Sequence, residues 1–238
     1  MIIAAAQFAP VPGAVVPNIE TIAALIAAAA AAGARVVVFP ELAVHGYAPA
    51  LIRDEPDSWL AQDDPRLDPI RAACRAGAAA AVVNAAVRTA GGRPAITSLV
   101  IGPDGALLTR YDKQHLYRPE DEIFATGDRD GGFELDGLRF ALATCYDNRF
   151  PELAARAKAA GRQVYLASSV LDVDNDSFEQ VYPIRARDNG LYVVLANATG
   201  TNAAGVCEGG SGAWGPDGAR IADAGTQHTG YALVEVPS

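Results

Sequence analysis

Three short stretches of nearly continuous apolar residues constrain the fold of this chain most. They are residues 35–39 (RVVVF), 138–143 (LRFALA) and 191–196 (LYVVLA). Strands of this composition are typical of sheets that are covered on both faces. Helix patterns lie between them, in the alanine-rich residues 17–32 and in residues 151–161, which begin with proline and end with glycine. This alternation predicts a mixed α/β sheet protein with layered helices.

Two hairpins and several irregular segments are predicted between these elements. The turn sequence Gly-Pro-Asp-Gly occurs at residues 102–105 and again at residues 215–218, and it is typical of a hairpin. Residues 178–189 predict a single helix. Three segments rich in proline, glycine or acids are expected to be loops, namely a surface loop or lid at 48–64, a loop over a site at 118–130, and a loop at 199–212. One domain covering residues 1–238 is the simplest prediction.

The charge balance and the cysteine usage exclude several classes of protein. The formal net charge is −9 and no run of Lys and Arg occurs, which argues against a nucleic-acid partner. The 3 cysteines are odd in number and form no CxxC pair, which favours a reducing compartment. The histidines are scattered without zinc-ligand spacing. No apolar run is long enough to span a membrane and no basic segment precedes the first strand, so we expect a cytoplasmic protein without a membrane partner.

Reactive side chains follow three of the predicted strands. Glu41, Lys113 and Cys145 each lie just beyond a strand, and ligands of open α/β sheets bind beyond the carboxyl ends of strands. A carboxylate can take the proton of a thiol that attacks a carbonyl carbon. A lysine ammonium lowers the pKa of a nearby thiol and stabilises an oxyanion. The amide N–H of Tyr146, where a helix begins, is a second candidate oxyanion donor.

Each of these residues alone also fits an ordinary structural role. Glu41 fits a solvated loop acid, Lys113 a surface lysine, and Cys145 a small buried cysteine at a strand end. Cys207 is a rival nucleophile, but it lies in a glycine-rich loop and the glutamate beside it would raise its pKa. Cys74 has apolar neighbours in a helix pattern and is expected to belong to the core.

Three blocks of sequence around these residues carry a resemblance to a known family. They are residues 39–42 (FPEL) with the nearby Gly46-Tyr47, residues 111–116 (YDKQHL) and residues 145–152 (CYDNRFPE). In this order they resemble the general-base, lysine and nucleophile blocks of the nitrilase superfamily, the carbon-nitrogen hydrolases, and specifically its amidase-like branch. Further blocks are matched at residues 185–189, Asn197 and 212–218, so the resemblance covers essentially the whole chain.

The resemblance implies a fold and a set of catalytic roles. The fold is a four-layer α-β-β-α sandwich that dimerises through a helical face, and no cofactor or metal ion is implied. Cys145 is the implied nucleophile, Glu41 the general base and Lys113 the oxyanion stabiliser.

A second glutamate is also implied, between the lysine and the cysteine and several residues before a glycine. Glu120 fits this spacing best, Glu122 competes with it, and Asp121 fits less well. The implied role is to position the substrate and to assist proton transfer to the leaving amine. Tyr47 and Tyr146 are candidate substrate-binding residues, although Tyr47 would equally fit beneath Glu41.

The implied reaction is hydrolysis of a small-molecule amide through a thioester on the cysteine, with release of ammonia or an amine. An N-carbamoyl amidohydrolase is less favoured, because Asn148 stands where such enzymes often have a second arginine. An acyltransferase would use the same residues, and a non-catalytic binding protein would retain only the fold. The acids Asp172, Asp174 and Asp176 would disfavour anionic substrates if their loop borders the pocket, and otherwise form a solvated acidic loop.

Overall fold

Two six-stranded β-sheets form the centre of the protein, and the computed structural model describes residues 1–226 and 228–237. The first sheet contains β1 (Ile2–Gln7), β2 (Val36–Val38), β3 (Ala80–Arg88), β4 (Pro94–Ile101), β5 (Leu107–Asp112) and β14 (Gly230–Glu235). The second contains β6 (Gly131–Leu135), β7 (Leu138–Thr144), β8 (Val164–Ser169), β9 (Tyr192–Asn197), β12 (Gly212–Trp214) and β13 (Arg220–Asp223). Strands β10 (Thr199–Asn202) and β11 (Gly205–Glu208) pair with each other outside these sheets.

The two sheets share one topology. Their strand orders are β14-β1-β2-β3-β4-β5 and β6-β7-β8-β9-β12-β13, with three central parallel strands in each and antiparallel neighbours at both sides. The repeated Gly-Pro-Asp-Gly turn joins β4 to β5 in the first sheet and β12 to β13 in the second. Both predicted hairpins are therefore confirmed, and they occupy equivalent positions.

Helices cover the outer faces of both sheets. The α-helices are α1 (Val15–Ala31), α2 (Pro49–Asp54), α3 (Asp68–Gly77), α4 (Glu120–Ile123), α5 (Pro151–Ala159), α6 (Ser177–Gln180) and α7 (Tyr182–Asn189). Shorter 3-10 helices lie at Pro56–Ser58, Pro65–Leu67 and Cys145–Arg149. Helices α1 and α3 pack on the first sheet, and α5 and α7 pack on the second.

The side-chain alternation of β2 explains the layers. Val36 and Val38 point into the core between the two sheets, whereas Val37 packs in the cluster under α1 and α3. All three are fully buried, because a strand with covers on both faces has no solvated side. Phe140 and Leu142 of β7 meet the first sheet in the same central core. The predicted α-β-β-α sandwich is confirmed.

Several segments differ from the sequence prediction. The expected loop at 48–64 contains α2 and a 3-10 helix, since Pro49 and Pro56 start helical turns rather than break them. The expected loops at 118–130 and 199–212 contain α4 and the β10–β11 hairpin. The expected helix at 178–189 is divided at Val181, because Pro183 cannot donate to the preceding turn. Strand β6 was missed.

Within the described residues, no helix has both the length and the apolar character needed to cross a membrane.

Candidate active site

The carboxyl ends of β2, β5 and β7 meet at one edge of the sandwich. Strand β5 runs in the same direction as β2, because two antiparallel pairings separate it from β3, which is parallel to β2. Glu41 and Lys113 therefore leave the first sheet at the same edge, and Cys145 leaves the second sheet opposite them. The predicted placement of an acid, a lysine and a thiol at strand ends is what the structure contains.

The ammonium group of Lys113 lies between two carboxylates. Its Nζ is 2.7 Å from Glu41 Oε1 and 2.7 Å from Glu120 Oε2. All three residues have no exposed surface. Buried charges persist when they are paired and hydrogen-bonded, and this trio carries a net charge of −1 when both glutamates are ionised.

The members of the trio differ in how their surroundings shift their pKa values. Burial raises the pKa of Glu41 to about 7, with Lys113 opposing the rise and Glu120 adding to it. Burial disfavours the charged form of Lys113, but the attraction of Glu41 and Glu120 outweighs it and raises the pKa of the ammonium. Lys113 therefore keeps its proton, while Glu41 can exchange one near neutral pH.

Cys145 lies in a strained turn at the edge of a cleft. It follows β7 directly and is the first residue of the 3-10 helix Cys145–Arg149. Its φ of 46° lies in the left-handed region, which residues other than glycine rarely adopt. The residue is partly exposed, and its Sγ lies 3.7 Å from the carbonyl oxygen of Val170.

The surroundings of Cys145 favour the neutral form of its thiol, although Lys113 lowers the pKa as expected. Burial and the charge of Glu41 raise the pKa of the thiol well above its usual value, and Lys113 offsets this only in part. Glu120 adds to the rise, so two carboxylates outweigh one ammonium at the sulfur.

Glu120 is the glutamate that reaches Lys113. Its Oε1 accepts a hydrogen bond from the Tyr47 hydroxyl at 2.7 Å, and its Oε2 also accepts from the Tyr117 amide at 2.9 Å. Its competitor Glu122 is exposed. Tyr47 lines the cleft, and its hydroxyl supports Glu120.

Asp147 connects the Cys145 turn to the segment that carries Lys113, and sequence reasoning assigned it no role. Its Oδ2 accepts from the Tyr111 hydroxyl at 2.6 Å and from the Thr144 amide at 3.0 Å. Its Oδ1 accepts from the His115 amide at 2.9 Å and lies 3.0 Å from His115 Nδ1. The His115 ring stacks on Phe150, with centroids 3.7 Å apart. One buried carboxylate thus fixes the turn beside Cys145 relative to the strand end that carries the lysine.

Asn84 of β3 connects the glutamate block to the same turn, and sequence reasoning also missed it. Its Oδ1 accepts from the Leu42 amide at 2.7 Å, and its Nδ2 lies 3.4 Å from Thr144 Oγ1. Leu42 has a φ of 49°, so the chain beyond Glu41 is held in a conformation that needs this support. The signal in the sequence is a single polar residue inside an apolar strand.

Comparison with known proteins places the chain in a family. The family model described as carbon-nitrogen hydrolase matches residues 2–238. The chain belongs to the carbon-nitrogen hydrolases. Its similarity to amidases, described next, puts it on the amidase-like branch of the nitrilase superfamily, as the sequence blocks predicted.

Several relatives of this hydrolase are amidases. It is 29% identical to an omega-amidase from Xenopus tropicalis over 89% of this chain and 80% of that protein. It is 32% identical to the 2-oxoglutaramate amidase of Bacillus subtilis, over 44% of this chain and only 42% of that relative. It is 28% identical to an amidase from Nesterenkonia sp. AN1, solved with acrylamide added at its active-site cysteine. That superposition has a TM-score of 0.91 and covers 100% of this chain and 93% of the other.

The cleft of this hydrolase has a volume of about 670 Å³ and reaches Glu120 of the trio. The cleft is lined by Cys145 and Glu120, and also by both candidate substrate-binding residues, Tyr47 and Tyr146. The ring of Tyr146 packs edge-on against its aromatic neighbours, with centroid distances of 5.3 Å.

The other two cysteines and most of the acidic loop lie outside this cleft. Cys74 is a core residue under the first sheet, and Cys207 is buried, with Asn202 donating to its sulfur at 3.3 Å. Burial raises the pKa of both thiols. Of the three acids in the acidic loop, only Asp172 lines the cleft. No group of three or more His, Cys, Asp or Glu side chains among the described residues is arranged to hold a metal ion.

Proposed function

We propose that this carbon-nitrogen hydrolase cleaves small linear amides with Cys145 as nucleophile, Glu41 as general base and Lys113 as oxyanion stabiliser. The observation that carries the proposal is the buried ammonium of Lys113, 2.7 Å from the carboxylates of Glu41 and Glu120, behind a cleft that is lined by Glu120 and Cys145. An amide carbonyl placed over the sulfur would lie beside a permanent positive charge.

In the first half-reaction Cys145 attacks the amide carbon while its proton passes to Glu41. A neutral thiol needs such a base, and a carboxyl with a pKa near 7 is well matched to accept the proton. The S–C bond forms, and the carbonyl oxygen becomes an oxyanion that Lys113 and the Tyr146 amide stabilise. The C–N bond then breaks, and the nitrogen leaves as ammonia or an amine with the proton returned by Glu41. Glu120 holds Lys113 in place and orients the amide nitrogen.

In the second half-reaction water releases the acid. Glu41 takes a proton from the water, which attacks the thioester carbon and expels the sulfur. The thiol recovers a proton from Glu41, and the carboxylic acid leaves. Covalent catalysis of this kind divides one difficult displacement into two easier steps.

The names of the relatives support an amide substrate of small size. Among the structural neighbours from Nesterenkonia sp. AN1, one holds butyramide and another carries the acetamide moiety of fluoroacetamide on its active-site cysteine. An N-carbamoyl substrate has less support, because the residue at position 148 is a neutral asparagine and not an arginine. Asn148 is buried, and its Nδ2 donates to the Cys145 carbonyl oxygen at 2.8 Å. Acyl transfer to an amine would use the same first half-reaction.

Intact-mass spectrometry with an ammonia assay tests the proposal. With a panel of small primary amides we expect ammonia release and, after acid quench, an acyl adduct on Cys145. The Cys145→Ser variant should lose both, whereas Cys207→Ser should keep both. Turnover that survives in Cys145→Ser would refute the mechanism. A wild-type chain that binds amides but forms no adduct and no ammonia would indicate a binding protein, and products condensed with an added amine would indicate an acyltransferase.

The expected homodimer, the single-domain organisation and the cytoplasmic location stay predictions. Sedimentation velocity tests the first, limited proteolysis the second and cell fractionation the third.

A further inference from the structure

Asp172 places an acid without a partner in the wall of the cleft. It is partly buried, and its carboxylate makes no hydrogen bond or ion pair with a described residue. The loop that carries it is joined to the β10–β11 hairpin, since the Val173 amide donates to the Val206 carbonyl oxygen, and the tip residues of this hairpin also line the cleft. The carboxylate is therefore held between two chain segments without being neutralised by either.

The two arginines that line the cleft do not neutralise Asp172. Arg149 lines the cleft, but its guanidinium is paired with Asp176, which lies outside it. Arg118 belongs to the rim: its side chain is 92% exposed, and its closest acid is Asp121 at 3.9 Å. Solvent screens a charge at such a position strongly.

The buried trio adds a second negative contribution. Glu41, Lys113 and Glu120 together carry −1 when both glutamates are ionised, and Asp172 adds another −1 in the wall of the cleft that Cys145 also lines. With Arg149 neutralised, the interior of the cleft is net negative. A carboxylate on a substrate would be repelled there, and an ammonium or another hydrogen-bond donor would be attracted.

We propose that Asp172 is a specificity determinant, and that this enzyme prefers small amides with a cationic tail over neutral amides and disfavours amides with a carboxylate tail. The inference rests on the proposed amidase function. The tail would bind beside Asp172, while the amide group lies over Cys145. The preference would differ from that of the relative named for 2-oxoglutaramate, which is an anionic amide.

Turnover of three amides of similar size tests the preference. The substrates are 3-aminopropanamide (cationic), butyramide (neutral) and succinamate (anionic). We expect kcat/KM to fall in that order, and Asp172→Asn to reduce the cationic-to-anionic ratio by about tenfold, as for loss of one partly screened charge. The matched control is Asp174→Asn, two residues along the same loop, where the side chain is exposed and does not line the cleft; its ratio should stay unchanged.

A second measurement does not depend on turnover. Cationic and anionic methanethiosulfonate reagents modify thiols, and intact mass reports the rate at Cys145, with Cys145→Ser giving the background from the other cysteines. We expect faster modification by the cationic reagent, and loss of most of this advantage in Asp172→Asn.

The two measurements separate the failure of the inference from that of the proposed function. Equal rates for both reagents, or a ratio that Asp172→Asn does not change, overturn the role of Asp172 even if all three amides are hydrolysed. A charge preference in labelling without any turnover supports the role of Asp172 and overturns the proposed amidase function.

Discussion

Replacing Asp147 with asparagine should weaken the protein more than any surface substitution. An asparagine keeps one carbonyl oxygen and presents an NH2 group in place of the other. If the NH2 replaces Oδ2, the Thr144 amide loses its acceptor; if it replaces Oδ1, the His115 amide does. In either orientation one buried backbone N–H faces a donor.

The magnitude follows from this count. A hydrogen bond to a charged group contributes about 1.5–3 kcal/mol, and an unpaired buried donor costs about 1–3 kcal/mol. We therefore expect Asp147→Asn to lower the free energy of unfolding by about 3–5 kcal/mol, which leaves most proteins folded at 25 °C. The catalytic turn and the lysine block should also lose their fixed distance, so kcat should fall in the fraction that remains folded.

Urea unfolding, followed by tryptophan fluorescence, measures the loss. Asp130→Asn is the control, because Asp130 pairs with Arg156 at the surface and should contribute less than about 1 kcal/mol. Tyr111→Phe removes a single hydrogen bond from Asp147 and should give an intermediate loss. A loss below about 1 kcal/mol in Asp147→Asn, equal to that of the control, would refute the reasoning from its hydrogen bonds.

Three further predictions concern the trio and its support. The kcat/KM of the wild type should fall as the pH drops below about 7, because Glu41 then takes up a proton and is no longer a base. Glu41→Gln should reduce the rate by about 10²–10⁴-fold and remove this acidic limb of the pH profile. Lys113→Met should abolish turnover and should lower the free energy of unfolding, measured by urea titration, most strongly above pH 7. Stability should recover towards pH 5, because the raised pKa of Glu41 means that the fold favours its protonated form. Tyr47→Phe removes one hydrogen bond from Glu120 and should reduce kcat/KM by about tenfold in a steady-state assay, with circular dichroism unchanged.

The parts of the site that sequence predicted are those with a local signature. Glu41, Lys113 and Cys145 each follow an apolar strand and lie within a recognisable block, and parallel strands bring their carboxyl ends to one edge. The sequence likewise predicts a strand with two covered faces at Val36, Val37 and Val38. Both inferences depend on residues that are adjacent in the chain.

The parts that sequence missed depend on contacts between distant residues. Asp147 lies 36 residues from Tyr111, and Asn84 lies 60 residues from Thr144, so the local sequence does not indicate the partner of either residue. The prolines of α2 and α7 misled the prediction for a different reason. The same residue that breaks a helix interior also starts a helix, and only packing decides which occurs.

The pKa of Cys145 shows why the sign of an electrostatic effect needs the whole site. Lys113 alone would lower it, but the ammonium cannot be buried without carboxylates, and two of them surround it. Those carboxylates raise the pKa of the thiol and so favour its neutral form. In the proposed mechanism one proton has two nearby sites, the sulfur and Glu41, and the attack moves it to the carboxyl whose pKa burial has raised to about 7. The surplus carboxylate that holds the lysine would then also make a general base necessary.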